Sequence, residues 1–355
     1  MAGIPLVRYG KSYADVWRLK SDFSDRNDEY LSNMRRIADI YRKQPQRTHC
    51  KLCDHPLSIQ GGTFSFHSHG IDYSICPTCG HLNGAYLETD EFSKSVYERN
   101  DYGKVYRSGE SQDAYDYRTE TIYLPKAQFL LESLQEFLSD EEIQRLKFLD
   151  VGAGSGYFVA AMRHLHMDAV GIEISESQVE WGNRHLSGRR LSHVAAADIA
   201  GSIRNTSKDG VSFIGVLEHI VSLQDVLDAI EQNEHIRYLY FSVPMFSYSA
   251  IFESIHPNVF NRQLGGTHTH LFTNESLAWL QRRYHWELRG AWYFGTDIAD
   301  LFRAVMVESR HNSNLMLAEY FKEKSASILD ALQNVMDRQK CCSEVHMMVE
   351  IRRSI

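Results

Sequence analysis

The chain has 355 residues, a formal net charge of −8, a pI near 6.1 and 43% apolar residues. That length and composition suit two domains of a soluble globular protein. The acidic balance argues against a nucleic-acid groove, no run approaches the ~20 apolar residues of a membrane span, and the start MAGIPLVRYGKSYADVW lacks a basic region followed by a long apolar core. A cytoplasmic protein without nucleic-acid partners is expected.

In chain order, residues 1–48 are polar and helix-prone, and Leu31, Met34, Ile37, Ile40 and Tyr41 recur at helical spacing. Arg35, Arg36, Arg42, Lys43 and Arg47 read as the solvated face of that segment. Residues 49–100 hold two C-x-x-C knuckles, Cys50/Cys53 and Cys76/Cys79, with 22 residues between them. Disulfides are rare in the cytosol, and zinc favours four tetrahedral thiolates, so the spacing predicts a structural Zn2+ held by these four. Four protein ligands leave no open position, which assigns the ion to folding. The nearby His55, His67, His69 and His81 read as surface or packing residues. Residues 101–123 form a tyrosine-dense linker or lid, in which Tyr102, Tyr106, Tyr115 and Tyr117 read as domain packing, with closure over a bound ligand as the other reading. The segment LPKAQFLLESLQEFL is then an amphipathic helix with Phe129, Leu130, Leu134, Phe137 and Leu138 on one face.

From here strand and helix alternate. Strands are expected at 148–151, 169–174, near 192–196, 211–217 and 237–243, with helices at 157–165 and 222–234. Ser175 and Gln178 read as a capping box opening a further helix. This alternation predicts an α/β domain over 124–355, a mostly parallel sheet covered by helices on both faces. A histidine-bearing insertion at 245–272 comes next, then a helix at 274–284 and a strand at 286–294. A helical insertion at 296–342 contains one long amphipathic helix at 313–339, either a dimer surface or a cover for the sheet, and EVHMMVEI closes the chain as a last strand. Cys341 and Cys342 read as inert thiols.

The loop KFLDVGAGSGYF carries the chemistry. Its glycines are Gly152, Gly154 and Gly156, and Tyr157 stands where a dinucleotide fingerprint needs its third glycine. Asp150 precedes the first glycine by two. A carboxylate there repels a pyrophosphate and suits a ligand with an ammonium group, such as S-adenosylmethionine (SAM). Glu173, 23 residues on, is placed for both ribose hydroxyls, and Asp198 for the adenine amino group.

The segments LDVGAGSG, GIEIS, AAADI and VLEHI, in this order, resemble class I SAM-dependent methyltransferases over roughly residues 125–295. One departure is DGVSFIGVLEH, which lacks the aspartate usual inside the fourth strand. The resemblance implies a Rossmann-like, seven-stranded fold with EVHMMVEI as the antiparallel strand. It also implies that Ala153, Ile174, Ile199 and Leu217 line the cofactor beside the residues named above. A four-cysteine module ahead of such a domain is similar to bacterial methyltransferases acting on nucleotide-linked sugars or surface glycans, so a sugar or nucleotide-sugar substrate is expected. In those enzymes a Glu-His pair at the fourth strand is implicated in catalysis, which points to Glu218 and His219. His219 is the expected general base, because the histidine side chain as such titrates near neutrality. His268 and His270 alternate with threonines in THTH, so on an extended segment both can face the acceptor as a base or a sugar-hydroxyl ligand, against the alternative of a packing or surface role; His256 ranks below them. Two other readings are a zinc-ribbon RNA base methyltransferase and a non-catalytic SAM-binding partner of a glycan-modifying enzyme. The acidic charge disfavours the first, and the intact motifs with a histidine at the reaction centre disfavour the second.

Overall fold

The computed structural model describes residues 4–12, 25–57, 65–89, 91–92, 95, 111–264 and 268–353. Tyr102 and Tyr106, and the first part of the expected linker, lie outside these residues. The strands are β1 (Leu6–Tyr9), β2 (Ser65–Ser68), β3 (Ile71–Ile75), β4 (Leu82–Gly84), β5 (Lys147–Val151), β6 (Asp168–Glu173), β7 (Leu191–His193), β8 (Gly210–Ile214), β9 (Tyr238–Pro244), β10 (Trp286–Phe294) and β11 (Glu344–Ile351).

Among the described residues the main sheet has eight strands in the order β1-β10-β11-β9-β8-β5-β6-β7. All its neighbours are parallel except β11, which runs antiparallel to both β9 and β10. The chain steps from β5 outward through β6 to β7, then returns to β8 on the other side of β5. This reversal opens a crevice at the carboxyl ends of β5 and β8, where such sheets bind ligands. The sheet exceeds the seven strands expected because Leu6–Tyr9, within the stretch read as helix-prone, pairs with β10. The LVRY run is β-branched and aromatic, and its strand character was outweighed by the helical pattern that follows.

Period-2 alternation sends each strand's residues to two cores. On β9, Tyr238 and Tyr240 pack with Phe129, Leu130 and Phe158 from the helices Leu124–Gln135 and Tyr157–His164. Leu239, Phe241 and Val243 face the other core, with Leu223 and Leu227 from the helix Leu223–Gln232 and Leu277 and Leu280 from Asn274–Arg283. Each fully buried side chain of this kind contributes about 1.5–3 kcal/mol. Cys50, Leu52, Cys76 and Cys79 belong to this second core, so the knuckles pack directly against the α/β domain.

The N-terminal helix Asn27–Tyr41 buries Leu31, Met34, Ile37, Ala38 and Tyr41. It packs on the β2-β3-β4 sheet and on Leu264 and Leu271 of the insertion. The long helix expected at 313–339 is instead two, Leu315–Ser325 and Leu329–Arg338, following a third at Asp297–His311. Leu329 packs against Ile298 and Phe302 whereas Leu315, Met316, Leu317 and Tyr320 stay exposed, so no single stripe runs through both helices. Among the described residues no helix is long and apolar enough to cross a membrane.

Candidate active site

The loop after β5 is built for close approach of a ligand to backbone. Gly152 has φ +69°, and a Cβ there would lie 2.7 Å from Val216 Cγ2; Gly156, at φ +79°, would press a Cβ to 2.8 Å from Leu186 Cδ1. Asp150 is buried at the end of β5 and accepts the Ser212 hydroxyl of neighbouring β8 at 2.7 Å. Burial pushes its carboxyl up to about 7, against the hydrogen bond from Ser212. An ammonium group placed there would restore its charge. Glu173 ends β6 and supports the loop directly: Oε2 accepts the Gly154 N–H at 2.8 Å and Oε1 the Ser175 N–H at 2.9 Å. Each carboxylate oxygen keeps a further lone pair for a ribose hydroxyl. The expected capping box does not form. Ser175 takes the N-cap position without a side-chain cap bond, its N–H goes to Glu173, and Gln178 Oε1 instead accepts from Ser155 Oγ at 3.5 Å. Ala153 and Leu217 are buried, Ile199 is half-buried, and Ile174 and Asp198 are exposed at the rim. A buried, cornered carboxylate, a glycine cradle and an acid at the end of β6 fit the methionine end and ribose of SAM.

The other end of the crevice is made of side chains. Leu217–His219 form a short 3-10 turn after β8. Glu218 is 5% exposed, and its Oε2 has no hydrogen-bond partner among the described residues. Burial pushes its carboxyl up to about 8. Its Oε1 lies 4.0 Å from His219 Nε2, and the His219 and His268 rings are 5.2 Å apart. The Glu218 carbonyl accepts the Thr269 N–H, the His270 N–H and the Thr269 hydroxyl, at 2.8, 3.0 and 2.9 Å. These three bonds stitch the insertion to the turn and set His268 beside His219. Beside His268 a cavity of about 40 Å³ reaches between the N-terminal helix, β3 and β4, with Lys51, Glu88, Tyr41 and Gln263 in its wall.

His270 does not join this group. Its Nδ1 meets His81 Nε2 at 3.0 Å, both rings are buried, and burial holds both well below the usual histidine range. His268, Thr269 and His270 are not in a strand, so the two histidines need not share a face. His256 lies elsewhere, 3.6 Å from Glu308. His81, read as a bland residue near the knuckles, is therefore a buried joint between the cysteine module and the insertion.

The four cysteines of the module converge. All four Sγ atoms lie within 4.8 Å of one another, with Cys50–Cys79 at 3.6 Å and Cys53–Cys76 at 3.5 Å. Tetrahedral thiolates at Zn–S bonds of ~2.3 Å sit roughly 3.8 Å apart. The neighbouring Cys79 thiol, with the N–H groups of Leu52 and Asn83, holds the Cys50 thiol well below its usual range. The set fits a zinc ion held by Cys50, Cys53, Cys76 and Cys79, whose chemistry would be purely structural. The module is tied to the active site by Lys51 Nζ on the Thr269 carbonyl, by Thr273 Oγ1 donating to the Gly80 carbonyl at 2.8 Å, and by Gln224 Nε2 donating to the Leu52 carbonyl at 2.8 Å.

Residues 123–289 match a family model described as a methyltransferase domain. The chain carries a methyltransferase domain. No curated protein matches it. Among solved structures, this methyltransferase is similar to a SAM-dependent methyltransferase from Archaeoglobus fulgidus, with 14% identity, 68% of this chain and 100% of that chain covered, and a TM-score of 0.39. It is also similar to magnesium protoporphyrin IX methyltransferase from Synechocystis (11% identity, 74% and 97% covered, TM-score 0.42) and to the plantazolicin methyltransferase BpumL (14%, 74% and 94%, 0.41).

Two features of the methyltransferase site were not read from the sequence. Ser212 is the hydrogen-bond partner of Asp150; it faces Asp150 across the β5–β8 pair, a register visible only once the strands are paired. Val216 closes over Gly152. The packing expected of the tyrosines holds for Tyr115, which is buried against Tyr157 with ring centroids 4.6 Å apart and donates to the Ser155 carbonyl at 3.2 Å, bracing the glycine loop, whereas Tyr117 is exposed.

Proposed function

We propose that this methyltransferase moves a methyl group from SAM to a sugar, as a nucleotide-linked sugar or glycan precursor. When bound, SAM supplies a methyl group already activated on a sulfonium. Asp150 holds the ammonium, Glu173 the ribose hydroxyls and Asp198 the adenine edge, while Gly152, Gly154 and Gly156 let the backbone come close. The acceptor needs placement in line with the methyl carbon and removal of a proton. Glu218, His219 and His268 handle that proton, because they are the titratable groups gathered at the carboxyl end of β8.

The observation that carries the reading is this three-residue cluster at the mouth of the SAM crevice, with a cavity beside it walled by both units of the chain. Lys51, Glu88 and Gln263 give that cavity a polar side suited to hydroxyl groups, and Tyr41 and Tyr73 offer rings to the apolar edge of a deoxysugar. The cysteine module then has two tasks, to wall the acceptor cavity and to hold the 268–273 segment through Lys51, Gly80 and His81. The exposed Leu315, Met316, Leu317 and Tyr320 support a homodimer in which a second copy covers them.

The test is turnover with methyl-labelled SAM over a panel of nucleotide sugars, with an RNA panel beside it. Label transferred to a nucleotide sugar supports the reading. Label transferred to RNA with a steep salt dependence overturns it.

A further inference from the structure

We propose that Glu218, His219 and His268 together bind one divalent first-row transition-metal ion at the acceptor end of the crevice. One ligating atom from each residue lies within 4.8 Å of the others, and Glu218 Oε1 is 4.0 Å from His219 Nε2. Neighbouring ligands of an ion with bonds of ~2.1 Å are roughly 3 Å apart, a contraction within reach of small side-chain rotations.

Two further observations point to a ligand. Glu218 is 5% exposed, and its Oε2 has no partner among the described residues, so a buried carboxylate oxygen stands ready for a cation. His268 Nδ1 lies 3.3 Å from the Gln263 carbonyl. A carbonyl only accepts, so at this contact Nδ1 is the donor and the bond orients the ring. Metal-bound histidines are oriented in this way by a second partner. The three bonds onto the Glu218 carbonyl fix the two segments relative to each other, so the ligand set is held before any ion arrives.

Two imidazoles and one carboxylate on one side of an ion leave positions open for small oxygen ligands. That distinguishes this set from the four cysteines, which are complete. On the methyltransferase reading, on which this part rests, the open positions take adjacent hydroxyl groups of the acceptor. Coordination lowers the hydroxyl pKa. Its proton passes to water, an oxygen lone pair forms the bond to the methyl carbon, and the carbon–sulfur bond breaks with its electron pair left on the thioether sulfur. The cluster then handles the acceptor's proton through the ion it holds, with His219 acting on that proton as a ligand of the ion.

The test counts metal in the full-length chain with its zinc retained. Elemental analysis is combined with titration by Mn2+, followed through the electron paramagnetic resonance signal of the free ion; Mn2+ prefers nitrogen and oxygen ligands over thiolates. Wild type should hold one metal per chain beyond the thiolate-bound zinc, carried through purification or taken up as Mn2+. Glu218→Gln and His268→Ala should each lose that second equivalent or bind Mn2+ at least ~10-fold more weakly, with melting temperature and SAM affinity close to wild type. A wild-type chain without a second equivalent overturns the proposal, as do two folded variants that retain it. If wild type holds the second metal and does not bind SAM, the methyltransferase reading fails and the metal site stands.

Discussion

Among the described residues, ligating side chains gather in two places, and these are built differently. The four cysteines come from two tight knuckles of one module, three of them buried in the core they share with the α/β domain. Glu218, His219 and His268 come from a turn after β8 and an insertion that arrives after β9, and only Glu218 is buried. The first set has a full tetrahedral complement, the second leaves room. Completeness marks a site as structural, and incompleteness beside a cofactor crevice marks it as chemical. The sites are not independent. His81 follows the second knuckle and meets His270, two residues from His268, so the closed site positions the open one.

Breaking the closed site should have the largest effect. Cys76→Ser is expected to unfold or aggregate the N-terminal region, because a structural zinc supplies apparent folding free energy of ~10–16 kcal/mol. Elemental analysis should find one zinc on the cysteines of wild type and less in the variant. A variant that stays folded and free of that zinc would contradict the assignment. Next, Glu173→Ala leaves both clusters untouched and should weaken SAM binding by ~1–3 kcal/mol, since charged hydrogen bonds to ribose are lost and the Gly154 N–H is left unpaired. Calorimetry giving an unchanged affinity would remove Glu173 from the ribose role.

His270→Ala probes the joint between the sites. It leaves a buried His81 nitrogen without its partner, at a cost of ~1–3 kcal/mol in stability measured by denaturant titration. The SAM affinity should be unchanged, and a stability equal to wild type would mean the joint is slack. The smallest effect expected is from pH. Asp150 is raised to about 7 by burial, so between about pH 4 and 7 the folded chain keeps a proton that the unfolded chain has lost. Its contribution therefore lowers stability as pH rises through that window and levels off above it. SAM's ammonium needs the ionised form, so SAM affinity should fall up to about tenfold per pH unit below 7. Calorimetry at pH 6 and 8 checks this, and an Asp150→Asn variant should lose the dependence.

Much of this was legible in the residues. The glycine loop, Asp150 and Glu173 lie on short segments whose order is set by strand–helix alternation, and the cysteine pairs announce themselves by spacing. What was not legible depends on pairing across the sheet or on side-chain direction in irregular chain. Ser212 reaches Asp150 only through the β5–β8 register. His268 and His270 share a period-2 spacing that predicts one face, yet they diverge because no ladder fixes the pleat there, and backbone bonds to Glu218 govern the turn instead. The edge strand Leu6–Tyr9 was hidden because four residues carry little pattern of their own.

The central claim is that the open cluster, and not the cysteine module, performs the chemistry. His219→Asn tests it most directly, with kcat, SAM affinity and melting temperature measured on one preparation, using labelled SAM and the best acceptor of the sugar panel. The expected result is a kcat lower by ~10²–10⁴-fold, with SAM affinity and melting temperature near wild type. A variant that melts earlier yet turns over within a few-fold of wild type would contradict the claim and leave His219 a packing residue.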